Sequence, residues 1–404
     1  MKIRTFVKQT QFEDDLPKMI EYKTTTFTNE EAVIDIGEPK TRKNVEAGSG
    51  LTDLVINFVP RWPTNPYHDE LDRNLREWKA FVDPDAQVKS IYRKAKEQCR
   101  APDVLHLHAI SHFRLDLLVL LRFVAFWWRI NRLRSMGTKL VWTIHDVFHH
   151  EAVWPKIDLM ISKLLFYHSD AVIVHSEAGK RAVEHQWEVS RNAGFFVIPH
   201  GNYMESYPNQ VDSHSAAMRL GIPKEKMVFL FLGLIRPYKG VIEMIREFVK
   251  LPEDKCYLVI AGNPISDELS DQICTAVDGR CNITYQPGFV ADDCVQDYMN
   301  AADVVVFPYT RALTSGALIL AMSFGKACIA PRLGALEDTL DERGGYKYDP
   351  LSSNGLLEAM KKAVEHGDEL AAMGLANKAR AGCWTWSETA RLTAQVYRET
   401  MKLS

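Results

Sequence analysis

The chain has 404 residues, with 46% apolar and 25% charged side chains and a formal net charge of −3. These values are typical of a globular protein with enough residues for two α/β domains, and the nearly neutral charge argues against a nucleic-acid partner. The sequence shows no signal-peptide pattern, no apolar run long enough to span a membrane and no CxxC pair among its seven cysteines. We therefore expect a cytoplasmic protein with reduced thiols.

Short apolar runs rich in β-branched residues alternate with helical patterns along most of the chain. Such runs are typical of parallel strands that are buried on both faces and joined by crossover helices. The predicted strands are 54–59, 104–108, 139–144, 171–174 and 195–198 in a first series and 227–232, 257–261, 283–285, 304–307 and 327–330 in a second. The two series predict an α/β fold with two doubly wound, Rossmann-like domains that face each other across a cleft.

A segment rich in Pro, Asn, Ser and His separates the two series. We place a first domain at residues 53–205 and a second at 206–382. Residues 383–404 would form a C-terminal helix that packs back on the first domain. Residues 1–52 resemble neither series, and no role can be assigned to them.

The loop after the first strand, 62–67, lies where a dinucleotide-binding fold would carry GxGxxG, and that glycine pattern is absent. Its absence argues against a nicotinamide or flavin enzyme. His106 and His108 follow on the second predicted strand. We expect them to face opposite sides, so that at most one reaches the cleft and the other is a hydrogen-bonded core histidine.

Residues 114–139 carry six basic residues and one acidic residue among Leu, Phe and Trp, including Phe126-Trp-Trp-Arg129. Charges interrupt the segment too often for a membrane span. A basic amphipathic helix with interfacial aromatic residues suits peripheral contact with an anionic membrane. A helix packed on the first sheet with its arginines in water is the alternative, and the sequence does not decide between the two.

A polar segment comes directly after the third predicted strand and contains His145, Asp146, His149, His150 and Glu151. Ligand-facing residues gather at the carboxyl ends of strands in open α/β sheets. This segment supplies candidate general bases and an imidazole that could orient a hydroxyl group. Zinc binding by His145 and His149 is one alternative, and an inert surface loop is another.

The loop after the first strand of the second series, Gly233-Leu-Ile-Arg-Pro-Tyr-Lys-Gly240, precedes a helix. Gly233 lets the backbone come close to a ligand. We expect Arg236 and Lys239 to be aimed over the cleft, as a planar fork and a point charge that suit a diphosphate. A solvated strand-to-helix loop is the alternative.

Two further turns are candidates for ligand contact. Ser315 and Gly316 begin an apolar helix with small residues, whose N–H groups and dipole favour an anion. The alternative is a tightly packed, buried helix start. His200 closes the first series within Pro199-His-Gly201, and we expect it near the ligand rather than in a simple linker turn.

Together and in this order, these segments resemble the GT-B glycosyltransferases of the broad GT4 type, from about residue 54 to the end. The resemblance is closer to the bacterial exopolysaccharide β-mannosyltransferases of the xanthan type (GT94). The segments that carry it are Asn65-Pro-Tyr67, His106-Leu-His108, Thr143-Ile-His145 with His150-Glu151, His200-Gly-Asn-Tyr203, Gly233 to Val241, Gly262-Asn-Pro264 and Ser315-Gly316. As a set they are specific, although single segments are not.

The resemblance implies a nucleotide-sugar donor on the second domain and an acceptor on the first. It implies donor-binding roles for Gly233, Arg236, Lys239, Asn263, Ser315, Gly316 and His200, and acceptor-side positions for Asn65, Tyr67 and His108. The closer resemblance implies GDP-mannose as donor, a polyprenyl-diphosphate-linked oligosaccharide as acceptor and inversion of configuration. No bound metal is expected, on the premise that the sequence lacks the Asp-x-Asp motif of the metal-dependent sugar transferases.

Retaining GT4-type enzymes carry a Glu-x7-Glu pair, and Ala312 and Leu320 stand at the matching positions. Inverting transfer needs one base for the acceptor hydroxyl. Glu151 ranks first, before Asp146 and His145, because the resemblance retains a glutamate at this position. Three alternatives stay open: a retaining transferase that uses a UDP-sugar, an epimerase or phosphorylase of the same fold, and an inactive subunit that binds a sugar nucleotide.

Overall fold

The computed structural model describes residues 51–62, 65–109, 117–146, 155–190, 194–223 and 225–402. Two six-stranded parallel sheets follow one another along this part of the chain. The first contains β1 (Leu54–Val59), β2 (Ala80–Asp83), β3 (Val104–Leu107), β4 (Lys139–Thr143), β5 (Ala171–Val174) and β6 (Phe195–Val197). The second contains β7 (Met227–Leu232), β8 (Cys256–Gly262), β9 (Ile283–Pro287), β10 (Val304–Val306), β11 (Ala327–Pro331) and β12 (Gly345–Tyr348).

The strand order shows that both sheets are doubly wound. The first sheet runs β2-β1-β3-β4-β5-β6, and the second runs β12-β11-β10-β7-β8-β9. The direction of winding reverses between β1 and β3 in the first sheet and between β7 and β10 in the second. In open α/β sheets, ligands bind beyond the carboxyl ends of the strands at these switch points.

Each strand predicted from the sequence is found, with bounds shifted by at most a few residues, and the predicted α/β fold is confirmed. Strands β5 and β8 bury all of their residues, as continuous apolar runs require. Burying one Val, Leu or Ile side chain contributes about 1.5–3 kcal/mol to folding. Two strands were not predicted, β2 and β12. Both are four-residue edge strands with exposed or half-exposed positions, so their sequences lack the apolar run.

Helices connect and cover the strands of the described residues. They are α1 (Pro66–Leu75), α2 (Val88–Gln98), α3 (Leu117–Arg134), α4 (Pro155–His168), α5 (Glu177–Trp187), α6 (Ser213–Arg219), α7 (Val241–Phe248), α8 (Asp267–Val277), α9 (Asp292–Ala301), α10 (Gly316–Ser323), α11 (Gly334–Thr339), α12 (Gly355–Glu365), α13 (Leu370–Gly382) and α14 (Trp386–Lys402). Several begin at a side-chain cap, such as Asn65 before α1 and Ser315 before α10. A cap of this kind is worth about 1 kcal/mol.

The first sheet is covered on its two faces by different helices. On one face, Leu71 of α1 and Tyr397 of α14 share an apolar cluster with Ile56 of β1. On the other face, helices α2 to α5 pack in a second cluster with side chains of β3, β4 and β5. The helix near the C-terminus therefore crosses back to the first half of the chain, as the sequence predicted.

Close contacts hold α14 against the end of the first half. The indole Nε1 of Trp386 donates to the carbonyl oxygen of Asn202 at 2.6 Å. The amide of Asn202 donates in turn to the carbonyl oxygens of Ala381 and Trp384, at 3.1 and 3.0 Å. Gly201 leaves the space that the Trp386 ring fills, because a Cβ at this position would overlap the ring.

Helix α3 packs on the first sheet, which was one of the two alternatives for this segment. Ile130 and Leu133 are fully buried, and Phe126 and Trp127 are partly buried against the same cluster. Of the Phe126–Trp128 run, the first two side chains pack partly against this core, whereas Trp128 is exposed at 52%. None of the helices in the described part of the chain combines the length and the apolar character that crossing a membrane requires.

Candidate active site

A cleft of about 600 Å³ lies between the carboxyl ends of the two sheets, within the compact unit Ala47–Ser404. The first half of the chain lines it with Trp62, Asn65, Tyr67, His145, Asp146, His200, Tyr203 and Tyr207. The second half lines it with Leu232, Gly233, Leu234, Tyr238, Lys239, Gly262, Asn263, Phe289, Val290, Asp292, Val295, Tyr309, Ala312, Thr314, Ser315, Gly316, Ala317 and Leu320. A volume of this size suits a small-molecule ligand.

Most of the candidate residues from the sequence meet at this cleft. They are Asn65, Tyr67, His145, Asp146, His200, Gly233, Lys239, Asn263, Ser315 and Gly316. Arg236 and His108 are not among the lining residues. Glu151 and His149 lie outside the described residues, so the first-ranked base stays a prediction.

The loop after β7 places Lys239 in the cleft. Gly240 follows it at φ +64°, and a Cβ there would overlap the carbonyl oxygen of Pro308, so only glycine fits. The Lys239 ammonium lies 5.4 Å from the ring centroid of Tyr309. Burial, with Arg236 as the second cause, lowers the pKa of Lys239 to about 8, and the charge of Asp146 partly opposes this shift.

Arg236 lies beside this site, where its guanidinium makes backbone contacts. Its Nη1 donates to the carbonyl oxygens of Ile235 and Asn263, at 3.0 and 3.3 Å. The side chain therefore braces the loop after β7 against the loop after β8. The expectation that Arg236 binds the diphosphate directly stays a prediction.

The ends of β7 and β8 touch through their backbones. A Cβ on Gly262 would overlap the carbonyl oxygen of Gly233, so the second strand can approach only because this residue has no side chain. The N–H of Ile235 donates to the carbonyl oxygen of Asn263 at 2.9 Å. This contact fixes both loops at the cleft.

The N-terminus of α10 opens on the cleft. The Ser315 hydroxyl accepts from the N–H of Leu318 at 3.2 Å, which caps the helix, and Thr314 to Ala317 line the cleft. The early N–H groups of a helix have no partners within the helix and attract anions. Ala312 and Leu320, the positions that the resemblance matches to the glutamate pair of retaining enzymes, also line the cleft and bring no carboxylate.

The expectation that His106 and His108 face opposite sides of their strand is wrong. Their ring centroids lie 4.1 Å apart on the same side of β3, because residues two apart in a strand point the same way. Both are buried. His106 hydrogen-bonds the Tyr397 hydroxyl at 2.6 Å and the Thr143 hydroxyl at 2.7 Å. His106 is thus the core histidine that was expected.

The same hydrogen-bond network reaches the cleft wall. The Thr143 side chain also interacts with the hydroxyl of Tyr67, which lines the cleft. A buried chain of polar groups therefore runs from Tyr397 on α14 through His106 and Thr143 to Tyr67. This chain links the position of α14 to the cleft wall that the first half of the chain supplies.

The His200 ring is held in one orientation. Its Nδ1 donates to the carbonyl oxygen of Gly201 at 2.6 Å, so its Nε2 accepts from the Tyr203 hydroxyl at 3.3 Å. Burial, followed by His175, lowers the pKa of His200 to about 3. His200 is a neutral part of the cleft wall near neutral pH.

The expectation of no bound metal had the absence of an Asp-x-Asp motif as its premise, and that premise is wrong. The sequence contains one such triplet, Asp83-Pro-Asp85. It follows β2 at the sheet edge, where Asp83 accepts from Asn57 and both carboxylates lie near the ammonium of Lys94. Among the described residues, no group of three or more His, Cys, Asp or Glu side chains could hold a metal ion.

The cleft also contains residues that the sequence interpretation missed. The main ones are Trp62, Tyr203, Tyr207, Phe289, Asp292 and Tyr309. Phe289 follows β9 and Tyr309 follows β10, so the rule that ligand-facing residues follow strand ends would have found both. Asp146 and Asp292 are the carboxylates among the described lining residues.

Comparisons with known proteins fit this geometry. Residues 226–366 match the family described as Glycosyl transferases group 1. The GDP-mannose:glycolipid 4-beta-D-mannosyltransferase of Xanthomonas campestris pv. campestris is 24% identical over 344 residues, which cover 80% of this chain and 88% of that protein. The lipopolysaccharide 1,2-N-acetylglucosaminetransferase of Salmonella typhimurium is 24% identical over 68% of this chain and 70% of that protein.

Solved structures share the fold. Sucrose-phosphate synthase from Thermosynechococcus elongatus superposes with a TM-score of 0.69 at 17% identity, over 87% of this chain and 100% of that one. Anabaena HepE in complex with UDP and glucose superposes with a TM-score of 0.64 at 16% identity, over 86% of this chain and 100% of that one.

The two facing sheets and these superpositions define the fold, which is the GT-B fold. Residues 226–366 are a glycosyltransferase group 1 domain, and the protein is a hexosyltransferase.

Proposed function

We propose that the protein transfers mannose from GDP-mannose, with inversion, to a polyprenyl-diphosphate-linked oligosaccharide. The similarity to the GDP-mannose:glycolipid 4-beta-D-mannosyltransferase over most of both chains supports this donor and this acceptor class. The proposed inversion rests on one observation, that Ala312 and Leu320 line the cleft. Retaining relatives carry their glutamate pair there, and these side chains offer no carboxylate.

Departure of the nucleotide needs stabilisation of a developing negative charge. Lys239 and the N-terminus of α10 lie on the same side of the cleft and supply a cation and N–H donors. Fixed groups of this kind stabilise a leaving diphosphate without proton transfer, and each is worth about 10²–10³ in rate. The donor therefore lies on the second half, with no metal required.

The base would act from the opposite wall. A single displacement needs one group that removes the proton from the attacking hydroxyl. Asp146 lines the cleft on the first half, facing the donor groups across it. Glu151 keeps its first rank on the resemblance alone.

Peripheral contact with an anionic membrane would bring a lipid-linked acceptor to this cleft. Leu121, Val124 and Trp128 are exposed on α3 at 64%, 56% and 52%, in a stripe spaced three and seven residues apart. A neighbouring stripe on α4 exposes Ile157, Met160 and Tyr167. Basic residues accompany the stripes, at Arg122, Arg129, Arg132, Lys156 and Lys163. Exposed apolar side chains beside arginine and lysine suit an anionic lipid surface.

The stereochemistry of the product tests the proposal. The purified full chain is incubated with GDP-mannose or UDP-glucose and a polyprenyl-diphosphate-linked oligosaccharide, and the product linkage is read by NMR. We expect consumption of GDP-mannose and a β-mannosyl product.

Other results of this experiment would change a stated part of the proposal. An α-linkage would overturn inversion, and preference for UDP-glucose would replace the donor. Absence of transfer with a panel of donors would favour the inactive binding subunit.

A further inference from the structure

Three imidazoles form a row that leads from the interior to the cleft. His68 lies on α1, His108 follows β3 and His145 follows β4. The ring centroids of His68 and His108 lie 4.4 Å apart, and those of His108 and His145 lie 5.6 Å apart. His68 and His108 are almost fully buried, whereas His145 lines the cleft.

The protonation of the first ring is set by the backbone. The N–H of Trp62 donates to Nδ1 of His68 at 2.9 Å, and a backbone N–H can only donate. Burial, followed by the charge of Arg61, lowers the pKa of His68 to about 4, so the ring is neutral near neutral pH. A neutral imidazole carries one proton, and here that proton must be on Nε2.

The protonation of the second ring, His108, follows from that of His68. Nδ1 of His108 and Nε2 of His145 lie 3.3 Å apart, so one of them donates to the other. The Nε2 atoms of His68 and His108 are both buried without a partner in the described part of the chain. A proton on Nε2 of His108 would place two unpartnered donors in adjacent rings. A proton on Nδ1 of His108 instead leaves one donor and one acceptor in the adjacent rings, so that two buried N–H groups without partners do not lie side by side.

We propose that this row fixes the tautomer of His145, so that His145 presents Nδ1–H to the cleft as a hydrogen-bond donor. His108 donates from Nδ1 to Nε2 of His145, which leaves Nδ1 of His145 to carry its proton. Burial, followed by His175, holds the pKa of His145 well below its usual range, so the ring stays neutral. His68 and His108 are then positioning residues. Nδ1 of His145, the ring nitrogen available to a ligand, carries a proton and therefore cannot act as a base.

The inference rests on the proposed function only for the identity of the ligand. An N–H donor matches a hydroxyl oxygen of a sugar in the cleft. The proton of the attacking hydroxyl then goes to a carboxylate, Asp146 or Glu151, rather than to His145.

Nitrogen NMR of the ligand-free full chain tests the tautomer without any activity. Histidine is labelled with ¹⁵N, and long-range ¹H–¹⁵N correlations at pH 7.5 separate protonated from unprotonated ring nitrogens. The His145 signals are identified by their loss in His145→Gln. We expect a protonated Nδ1 and an unprotonated Nε2, and the opposite pattern would overturn the proposal.

Variants in the row of imidazoles test whether His68 sets the tautomer of His145. His68→Phe removes the ring whose tautomer the backbone sets, so we expect His145 to become a mixture of tautomers. His106→Gln is the matched control, because His106 is equally buried and lies two residues from His108 on the same chain segment. A His145 tautomer that stays unchanged in His68→Phe, or that shifts equally in the control, would overturn the relay. If His68→Phe does not fold, the wild-type spectrum still decides the tautomer.

Turnover gives a second readout that a structural role would not move. The side-chain amide of Asn can place an N–H near the position of Nδ1 of histidine. His145→Asn should therefore keep at least tenfold more turnover than His145→Ala, with an unchanged pH profile. Equal loss in both variants, together with a changed pH profile, would indicate a base and overturn the donor role. Loss of all transfer in the wild type would count against the proposed function and leave the NMR result standing.

Discussion

Lys239 is a cation whose charge depends on pH within an accessible range. Its pKa is lowered to about 8, because burial and the neighbouring Arg236 disfavour the ammonium. A bound diphosphate would favour the ammonium again and raise this pKa. Donor binding and proton uptake are therefore coupled at this residue.

The coupling predicts how donor affinity changes with pH. Below pH 8 Lys239 is already charged and the Kd of GDP should be nearly constant. Above pH 8 each unit should raise the Kd up to tenfold, since the free protein must take up a proton to bind. Calorimetric titration with GDP in buffers of different ionisation enthalpy measures both quantities.

Two variants of Lys239 complete this test. Lys239→Arg keeps its charge throughout the range and should lose the pH dependence. Lys239→Ala should lower kcat/KM by about 10²–10³ while the fold is kept. A pH dependence that persists in Lys239→Arg would assign the proton to another group.

The same charges predict the effect of metal removal. Lys239 and the first N–H groups of α10 lie together in the cleft, and under the proposed function these groups neutralise the diphosphate in place of a divalent ion. Turnover should be unchanged after dialysis against EDTA. A loss that added Mg²⁺ or Mn²⁺ restores would contradict this assignment, and direct metal analysis of the dialysed protein is the control.

At the scale of single elements, Gly201 fixes where α14 lies. A methyl group at this position would overlap the ring of Trp386, whose indole bonds to Asn202. Gly201→Ala should therefore reduce the free energy of unfolding by about 1–3 kcal/mol, the usual cost of overpacking. Circular dichroism during thermal unfolding shows the loss as a lower midpoint.

A second glycine provides the matched control for this substitution. A Cβ on Gly382 would have its nearest neighbour at 3.8 Å, which is an ordinary contact. Gly382→Ala should therefore leave the midpoint almost unchanged. Equal midpoints for the two variants would mean that the packing of Trp386 on Gly201 does not stabilise the fold.

How far the sequence predicts the elements depends on burial. Strands such as β8 are buried along their whole length, so their composition identifies them. Edge strands β2 and β12 are half exposed, and their residues are set by pairing with one neighbour, which composition does not reveal. The helix α3 shows the same limit, because its apolar residues serve both the core and the surface.

The residues of the candidate site also differ in how far the sequence predicts their positions. Lys239 and Ser315 were predicted because a strand end or a helix start fixes where they lie. Arg236 shares the loop of Lys239, but its contacts with two carbonyl groups depend on the neighbouring β8 loop. Strand geometry places residues two apart on the same side. The sequence therefore does predict that His106 and His108 lie together, contrary to the expectation stated for them.

At the scale of the whole molecule, the exposed stripes of α3 and α4 would orient the enzyme on a membrane. Changing Leu121, Val124 and Trp128 to Ser should release the chain from vesicles that contain anionic lipid. Turnover of a water-soluble acceptor should be kept, because these side chains are exposed and lie outside the cleft lining. Co-sedimentation with vesicles measures the release.

Exposed apolar residues elsewhere provide the matched control. Met218, Leu351 and Leu375 are exposed at 63%, 70% and 69% in the second half of the chain. Serine at these three positions should leave vesicle binding unchanged. If both triple variants bind alike, the α3 stripe is not the membrane contact.

The crossing of α14 has a consequence for how the chain is made. One face of the first sheet is completed by a helix that the ribosome delivers only after the entire second sheet. Until then, Leu71, Leu75 and Ile56 lack the side chains of α14 with which they share a cluster in the folded protein. A nascent chain with such a face is prone to aggregate, and chaperones bind surfaces of this kind. Synthesis of the first half alone should therefore yield an insoluble product, although it contains a complete sheet.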